Sequence, residues 1–340
     1  MSTASGRSGD NMKKPKIYVH RLGSWYKLYM NMENEELLES FSEVVNERDR
    51  EEPLTPSELI EKMKGSEAIL SLNGIGAENE ISYEILKAVG TVKFISVSHW
   101  WGQFPDVPKD SGISVVEGSN ANTIAVAEWV ISAALMGVRK IQDFDRSLKR
   151  GSLWAEPRRT VGMLAGKKVG LVGLGRIGSY VSKYFKALGT DVIVYDKYCP
   201  KSRAEELGVR LVSLEETFKA DIVSLHLPVT NETKGMLGEK HFGLIKNGAV
   251  FINSARASLY DEQALIAELK KKRFSAYLDV FSIEPLPPGH PFRSMDNVTI
   301  TPHIAGDNKE MFLRCGREAI LTLKDYFEGK VKKKNIKPER

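Results

Sequence analysis

The sequence predicts an α/β protein of two lobes, in which parallel sheets are covered by helices on both faces. Short apolar runs alternate with segments of helical periodicity along most of the 340 residues, which is typical of parallel sheets with helical crossovers. The length indicates two domains, since a domain holds roughly 100 to 200 residues. With 42% hydrophobic and 27% charged side chains, the composition excludes disorder or a coiled coil as the main architecture.

The first lobe is predicted from four apolar runs. These strands are expected at Ile17–His20, Ala68–Leu72, Phe94–Val97 and Ser114–Val116. A helix should begin near Thr55, because Thr55-Pro56-Ser57-Glu58 combines a capping box with proline at the first helical position. Apolar residues recur at helical spacing from Ala121 to about Arg150, which predicts a long helix at the boundary between the lobes.

The second lobe is predicted from six further apolar runs. These strands are expected at Val169–Val172, Val192–Tyr195, Ile222–Leu225, Val250–Asn253, Ala276–Val280 and Val298–Thr301. Six strands joined by helical connections suit a doubly wound sheet, which binds its ligands at the carboxyl ends of the strands.

Charge and cysteine content indicate neither a nucleic acid nor a metal as a partner. The net charge is +5, and the last eleven residues hold six basic side chains and one acidic one, so the body of the protein is near neutral and a solvated basic tail is expected. Cys199 and Cys315 lie far apart without metal-type spacing, which favours a reducing compartment, the cytoplasm. No apolar run approaches the roughly 18 residues that span a bilayer, so no membrane partner is expected.

A glycine-rich segment follows the first strand of the second lobe and predicts a dinucleotide site. It reads Gly173-Leu174-Gly175-Arg176-Ile177-Gly178 and opens a helix-like stretch. Such glycines permit a tight turn, the approach of a pyrophosphate and close helix packing, and the helix N-terminus attracts phosphate. Asp196 ends the next strand 18 residues after Gly178, where a carboxylate accepts the ribose hydroxyls of NAD. The alternative is a packing turn with a surface aspartate.

Three charged residues are expected just beyond strand ends of the second lobe. The guanidinium of Arg256 can hold a carboxylate through two hydrogen bonds. His303 can exchange a proton with a carbonyl oxygen as hydride is transferred, and Glu284 can orient that imidazole and stabilise its charged form. Taken singly, Arg256 could be a surface residue and His303 a structural histidine; their combination after a dinucleotide motif favours catalysis.

The ordered motifs resemble those of the NAD-dependent D-2-hydroxyacid dehydrogenase family. They are the glycine segment at 173–178, Asp196, His226-Leu227-Pro228, Asn253-Ser254-Ala255-Arg256, Asp279-Val280-Phe281 with Glu284-Pro285, and Thr301-Pro302-His303-Ile304-Ala305-Gly306. The resemblance implies that Arg256 clamps the substrate, that His303 with Glu284 is the acid/base pair, and that Asp279 binds the nicotinamide carboxamide. It further implies cofactor contacts from His226, Pro228, Ala255 and Gly306.

The resemblance also implies two Rossmann-like lobes with a discontinuous substrate domain. Residues 12–118 would form the first part of the substrate-binding lobe, residues 119–308 the NAD-binding domain, and residues 309–330 a C-terminal helix that returns to the substrate lobe. Family members close over the cofactor and form homodimers through their cofactor domains, so a homodimer is expected.

The chain departs from the family pattern at three places. Ala257 follows the arginine where glycine is usual, and Tyr260 precedes Asp261 where an aliphatic residue is usual. Trp100 and Trp101 stand where members present a small loop to the substrate carboxylate. We expect one of these indoles to line the substrate site, together with Asn73 from the segment Ser71–Gly76; the alternative is that both rings pack in the core.

These expectations combine in one predicted activity and two alternatives. The predicted activity is hydride transfer between NAD(H) and a 2-oxo or 2-hydroxy acid, where the hydroxy acid has the D configuration. One alternative is an enzyme for a phosphorylated acid such as 3-phosphoglycerate, although the Ser71–Gly76 segment lacks the basic side chains of that type. The other is an NAD-sensing interaction module like the corepressors that keep this fold.

Overall fold

The computed structural model describes residues 13–20, 23–46, 48–72, 81–98, 107–108, 110–117, 121–154 and 161–331. They form two compact units: one contains residues up to 121 together with those from 309 onward, and the other contains residues 122–308. Among the described residues each unit holds one sheet, in which every strand pair is parallel. The predicted α/β class is confirmed, and the first unit is discontinuous in sequence.

Five strands build the sheet of the first unit. They are β1 Lys16–His20, β2 Glu43–Asn46, β3 Ala68–Ser71, β4 Phe94–Val97 and β5 Ser114–Glu117, in the spatial order β2-β1-β3-β4-β5. Its helices are α1 Gly23–Tyr29, α2 Met32–Phe41, α3 Pro56–Met63, α4 Tyr83–Val89 and, after the second unit, α12 Lys309–Phe327. The four predicted strands are confirmed to within one residue at each end. The prediction missed β2, which has no fully buried side chain.

The capping box before α3 forms as its sequence predicts. The backbone N–H of Thr55 donates to Oε2 of Glu58 over 2.9 Å, and the hydroxyl oxygen of Thr55 accepts from the backbone N–H of Glu58. Pro56 occupies the first helical position, where no backbone N–H is needed.

Helix α12 packs against the sheet and helices of the first unit. The ring of Tyr326 stacks on Phe94 with centroids 4.1 Å apart, and the Ser96 hydroxyl donates to the carbonyl of Ala319 over 2.9 Å. At Gly316 a Cβ atom would lie 2.2 Å from the carbonyl oxygen of Tyr29. Only glycine fits this close approach between α12 and α1, so α12 packs as part of the first unit.

Seven strands build the sheet of the second unit. They are β6 Lys168–Val172, β7 Asp191–Tyr195, β8 Arg210–Leu211, β9 Ile222–Leu225, β10 Val250–Asn253, β11 Ser275–Leu278 and β12 Val298–Ile300. Their order is β12-β11-β10-β9-β6-β7-β8, so the winding reverses between β6 and β9. All six predicted strands are confirmed, and two-residue β8 was missed because it is too short to produce an apolar run.

Helices cover both faces of this second sheet. They are α5 Ala121–Arg139, α6 Ile141–Lys149, α7 Arg176–Ala187, α8 Lys201–Leu207, α9 Leu214–Phe218, α10 Glu239–Gly243 and α11 Glu262–Lys270. On one face Val130 and Phe185 pack with Val169 of β6. On the other face Phe242 and Leu265 pack with Phe251 of β10. The predicted doubly wound arrangement is therefore present.

The long helix predicted from Ala121 to about Arg150 is two helices in the structure. Lys140 adopts a left-handed conformation with φ of 51°, which ends α5 and lets α6 begin at Ile141. Helix α5 lies in the core, whereas α6 has no buried residue. The apolar periodicity of the sequence continues across the turn between them, so it did not reveal where α5 ends.

Helix α5 is apolar and long enough to cross a membrane by length and composition, but half of that stretch is buried within the protein. The prediction concerned uninterrupted apolar runs, and α5 is apolar only on average, since Asn122 and Glu128 interrupt it. Its side chains Val126, Val130 and Ala134 lie in the core of the second unit, so packing accounts for their apolar character.

Candidate active site at the strand ends of the second unit

The glycine segment forms a tight turn between β6 and α7. Gly173 has φ of +106°, and a Cβ atom there would lie 2.8 Å from the carbonyl oxygen of His226. At Gly178 a Cβ would lie 2.2 Å from the carbonyl oxygen of Gly173. Gly175 differs, because a Cβ there would meet nothing within 4 Å. The first and third glycines are thus required by packing, while the second faces open space.

The N-terminus of α7 carries no side-chain cap. Gly175 is its capping residue, and helix α7 begins with Arg176 and Ile177 directly beside the open space. Backbone N–H groups and the helix dipole favour an anion at such an end. The segment can therefore receive a phosphate, as its sequence predicts.

Asp196 joins the end of β7 to the glycine turn. Its Oδ2 accepts a hydrogen bond from the backbone N–H of Leu174 over 2.7 Å, and its Oδ1 accepts from the N–H of Tyr198 over 2.9 Å. The residue is half-buried. Asp196 is therefore held at the strand end predicted for a ribose contact.

His226 follows β9 and lies against the glycine turn. Its backbone N–H donates to the carbonyl of Val172 over 2.8 Å. Although part of the residue is exposed, its Nε2 atom is buried and has no hydrogen-bond partner in the described part of the chain. Burial lowers the pKa of His226 to about 3, so the imidazole is neutral. Pro228, two residues further, is exposed.

Arg256 is presented by a turn that a buried asparagine holds. Asn253, at the end of β10, is fully buried. Its Oδ1 accepts from the N–H of Ala255 over 2.9 Å and its Nδ2 donates to the carbonyl of Arg256 over 3.1 Å. The exposed guanidinium donates through Nη1 to the carbonyl of Ala255 over 2.6 Å, and no other hydrogen bond of this side chain is formed with the described residues.

His303 is presented by a turn that a buried aspartate holds. Asp279, which follows β11, is 1% exposed. It accepts from the Thr301 hydroxyl, from the N–H of Ile304 over 2.9 Å and from the N–H of Ala305 over 2.7 Å. Burial raises the pKa of Asp279 above its usual value, and these hydrogen bonds oppose the rise. Within this turn His303 adopts a left-handed conformation with φ of 57°.

The imidazole of His303 lies directly against Glu284. Its Nδ1 is 2.7 Å from Oε2 of Glu284, and Oε1 accepts from the N–H of Phe281 over 2.9 Å. Because the carboxylate only accepts, Nδ1 carries the proton in this pair. The two side chains are 27% and 36% exposed, so the pair is held in place yet open to a small molecule.

The three predicted catalytic residues lie at one edge of the sheet. Arg256 follows β10, Glu284 follows β11 and His303 follows β12, and these are adjacent strands. Neighbouring parallel strands are about 4.8 Å apart. The carboxyl edge of the sheet therefore brings together residues up to 47 positions apart in sequence.

Sequence reasoning missed two polar residues of this edge. Asn253 was noted only as part of a motif. Its position, a polar residue at the end of an apolar run and before a turn, could have indicated that its side chain binds the backbone of that turn. Asp307, after Gly306, has a buried Oδ1 without a hydrogen-bond partner among the described residues. Burial raises the pKa of Asp307, and its electrostatic partners are His303 and Asp279.

The two departures after Arg256 have structural explanations. Ala257 begins a short 3-10 helix and does not have positive φ, so glycine is not needed there. Tyr260 is buried, and its ring packs edge-on against Phe242 and Phe251. Its hydroxyl lies beside the Asn253 amide without a hydrogen bond of good geometry. Tyr260 thus packs as part of an aromatic core.

The structure describes only some of the remaining predicted site residues. Asn73, Trp100 and Trp101 lie outside the described residues. Gly306 packs near Val126, to which a Cβ atom would come within 3.5 Å. In the described ranges no group of three or more His, Cys, Asp or Glu side chains could hold a metal ion.

Comparisons with known proteins agree with this arrangement. Residues 131–305 match the family model for the NAD binding domain of D-isomer specific 2-hydroxyacid dehydrogenases. D-3-phosphoglycerate dehydrogenase of Archaeoglobus fulgidus is 36% identical over 268 residues, which are 77% of this chain and 50% of that protein. Glyoxylate reductase of Thermofilum pendens is 32% identical over 333 residues, which are 94% of each chain.

A solved structure is similar over nearly the whole chain. It is the NAD-complexed form of a D-isomer specific 2-hydroxyacid dehydrogenase from Lactobacillus delbrueckii ssp. bulgaricus, with 25% identity, a TM-score of 0.75, and coverage of 93% of this chain and 98% of that one. The chain spans half the length of the Archaeoglobus relative and almost all of the Thermofilum relative. It belongs to the D-isomer specific 2-hydroxyacid dehydrogenase family.

Proposed function

We propose that the protein is an NAD-dependent dehydrogenase that interconverts a 2-oxo acid and a D-2-hydroxy acid. The observation that carries this proposal is the His303–Glu284 pair, 2.7 Å apart, on strand ends adjacent to the turn of Arg256. An imidazole oriented by a carboxylate is suited to proton exchange with a substrate oxygen. An exposed guanidinium is suited to a carboxylate.

The residues at the glycine turn fit a nicotinamide dinucleotide. The open space at Gly175 and the uncapped N-terminus of α7 suit its pyrophosphate. Asp196 suits the ribose hydroxyls, and the buried, unpartnered Nε2 of His226 offers a polar atom beside the same turn. Ala255, Asp279 and Gly306 lie further along the edge, toward the acid/base pair. When bound, NADH supplies the hydride and NAD accepts it.

The side chains of this chain then have distinct tasks. Because Nδ1 of His303 is engaged by Glu284, its Nε2 is the atom that delivers a proton to the oxo group during reduction and removes it during oxidation. Arg256 orients the substrate carboxylate with the donors that its bond to Ala255 leaves available. Asp279 fixes the turn of His303 through Ile304 and Ala305.

We further propose that the substrate is not phosphorylated. The glyoxylate reductase relative is matched along 94% of this chain. The Ser71–Gly76 segment has no basic side chain for a phosphate. Asn73 and one of Trp100 and Trp101 remain the proposed substrate contacts from the first unit, which we take as the substrate-binding lobe.

A homodimer formed through the second unit is part of the same proposal. Helix α6 has no buried residue, and its Ile141 and Leu148 are exposed. Nearby in sequence, Leu153 and Trp154 are 97% and 83% exposed. An apolar surface of this kind marks an interface more often than open solvent. Cys199 and Cys315 are not joined in a disulfide, which fits the proposed cytoplasmic location.

The test is NADH oxidation with a panel of 2-oxo acids that includes glyoxylate, pyruvate, larger apolar oxo acids and 3-phosphohydroxypyruvate. We expect turnover with at least one unphosphorylated acid, and a much lower kcat/KM for the phosphorylated one. Preference for the phosphorylated acid would reverse the substrate assignment. Tight NADH binding without turnover of any acid would favour the NAD-sensing interaction module.

A further inference from the structure

A group of charged and polar side chains lies beside Asp196 and is not used by the proposed reaction. We call it the Lys197 cluster; it consists of Lys197, Tyr198 and Glu232. Glu232 lies in the turn after β9, 35 residues from Lys197 in sequence. Its Oε2 is 2.9 Å from Nζ of Lys197 and accepts from the Tyr198 hydroxyl over 2.6 Å. One carboxylate oxygen thus holds two neighbours of Asp196.

Both charges of the cluster are maintained at neutral pH. The hydrogen bonds from Tyr198 and Lys197 lower the pKa of Glu232, and those with Glu232 and Tyr198 raise the pKa of Lys197. The Lys197 ammonium also lies 5.2 Å from the centre of the Tyr198 ring. Glu232 and Tyr198 together therefore hold the Lys197 ammonium on the Glu232 side.

The backbone of Tyr198 links this cluster to the proposed ribose contact. Its N–H donates to Oδ1 of Asp196 over 2.9 Å while its hydroxyl donates to Glu232. Asp196 and Glu232 thus place two carboxylates on either side of one tyrosine. The Lys197 cluster and the proposed ribose contact are therefore connected through one residue.

NADP differs from NAD by a 2′-phosphate, and enzymes that accept NADP provide a cation for it. Lys197 is the cation that follows Asp196 directly in sequence. The next cations are Lys201 and Arg203 of α8, further along the chain, and Arg203 donates to the Ser179 hydroxyl over 2.9 Å. Lys197 is therefore the side chain best placed by sequence to neutralise a 2′-phosphate, and Glu232 already engages it.

We propose that Glu232 is a specificity-determining residue for the cofactor, which excludes NADP by holding Lys197 in an ion pair. Asp196 rejects the 2′-phosphate directly, and Glu232 keeps Lys197 from compensating for that rejection. This inference rests on the proposed function only in that the protein binds a nicotinamide dinucleotide. The two side chains of the pair are each 57% exposed, so salt should weaken the effect.

Dissociation constants for NADH and NADPH, measured by nucleotide fluorescence without substrate, test this role. The proteins are the wild type, Glu232→Gln, Lys197→Ala, the double variant, and a control, Glu239→Gln, which makes the same change in net charge at an exposed residue of α10. We expect Glu232→Gln to tighten NADPH binding by about 2- to 5-fold, the upper range of one exposed charge pair, and to leave NADH binding nearly unchanged. The gain should disappear in the double variant and should be absent in the control.

Four results would overturn the proposal, and the last of them would also overturn the proposed function. An NADPH-to-NADH ratio in Glu232→Gln that stays at the wild-type value contradicts it, as does a gain that persists without Lys197 or appears equally in Glu239→Gln. In these cases wild-type NADH binding still supports the proposed function. If the wild type binds neither dinucleotide, the inference and the proposed function fail together.

Discussion

Two turns at the carboxyl edge of the second unit's sheet present charged side chains in different ways. The turn of His303 is held by a buried carboxylate, Asp279, which accepts from a hydroxyl and two backbone N–H groups. The turn of Arg256 is held by a neutral amide, Asn253, which makes two hydrogen bonds. The imidazole is also held by Glu284, whereas the guanidinium, within the described ranges, donates only to the carbonyl of its neighbour Ala255.

The difference follows from the two proposed tasks. Proton exchange requires one nitrogen at one place, because the rate falls steeply with misplacement of the reacting atoms. A carboxylate clamp tolerates adjustment, since the guanidinium carries five N–H donors. We therefore expect changes around His303 to lower kcat and changes around Arg256 to raise KM for the oxo acid.

The largest effect is expected for His303→Ala. Loss of the proton donor should lower kcat for reduction by about 10² to 10⁴, with little change in NADH affinity. Steady-state kinetics and a fluorescence titration measure the two quantities. His290→Ala is a matched control, because His290 contacts a different carboxylate, Glu262, at 3.2 Å. Equal losses in both variants would remove the special role of His303.

A smaller effect on kcat is expected for Asp279→Asn. The amide can accept at one atom only, so an NH₂ group faces a backbone N–H of Ile304 or Ala305. The turn should shift, and kcat should fall by about 10- to 100-fold, while leaving a buried donor unpaired should cost about 1 to 3 kcal/mol of the free energy of unfolding. Kinetics and chemical denaturation check both. A stability loss with unchanged kcat would make Asp279 structural only.

Arg256→Lys tests the clamp itself. Lysine keeps the charge and loses the planar pair of donors, so KM for the oxo acid should rise about 10-fold, the equivalent of one charge-assisted hydrogen bond. NADH affinity should stay unchanged. Wild-type kinetics in this variant would mean that another group holds the carboxylate.

Asn253→Ser tests whether the amide acts through Arg256. Serine is too short to reach the carbonyl of Arg256, so KM for the oxo acid should rise about 3- to 10-fold through the loss of one neutral hydrogen bond. Its kcat should change less than that of Asp279→Asn. If kcat falls as far as in the aspartate variant, the two turns do not have the separate tasks given to them.

The smallest effect is expected for Tyr260→Phe. Among the residues that the structure describes, the hydroxyl makes no hydrogen bond of good geometry. Its removal should therefore change the free energy of unfolding by less than about 1 kcal/mol and leave KM unaltered. Tyr260→Ala should cost about 3 to 5 kcal/mol, because the ring packs with Phe242 and Phe251. Thermal and chemical denaturation of both variants give the comparison. A raised KM in the phenylalanine variant would mean that the hydroxyl supports Asn253.

The sequence was informative where local pattern and burial coincide. Strands with a buried apolar face were found to within about a residue at most of their ends, and the glycine turn was placed because its spacing has a physical reason. Strands β2 and β8 gave no such signal, since one is only half-buried and the other has two residues. The end of α5 at Lys140 was missed because a left-handed conformation is not expected of lysine, unlike glycine or asparagine.

The site was predictable in part for the same reason. A residue that reacts, such as His303, can be predicted from the chemistry of its side chain. A residue that only positions another one can be identified from the contacts in the structure. Asn253 could have been suspected from its place at a strand end. Glu232 could not, because its contact with Lys197 joins two loops that only the sheet order brings together.

The most direct test of the account is the product formed by the wild type and by His303→Ala from NADH and a 2-oxo acid. Chiral chromatography and absorbance at the NADH band measure the product and the cofactor in the same sample. The account predicts one molecule of the D-2-hydroxy acid for each NADH oxidised by the wild type, and almost none by the variant at equal NADH occupancy. Formation of the L acid, or NADH binding without any hydroxy acid, would contradict it.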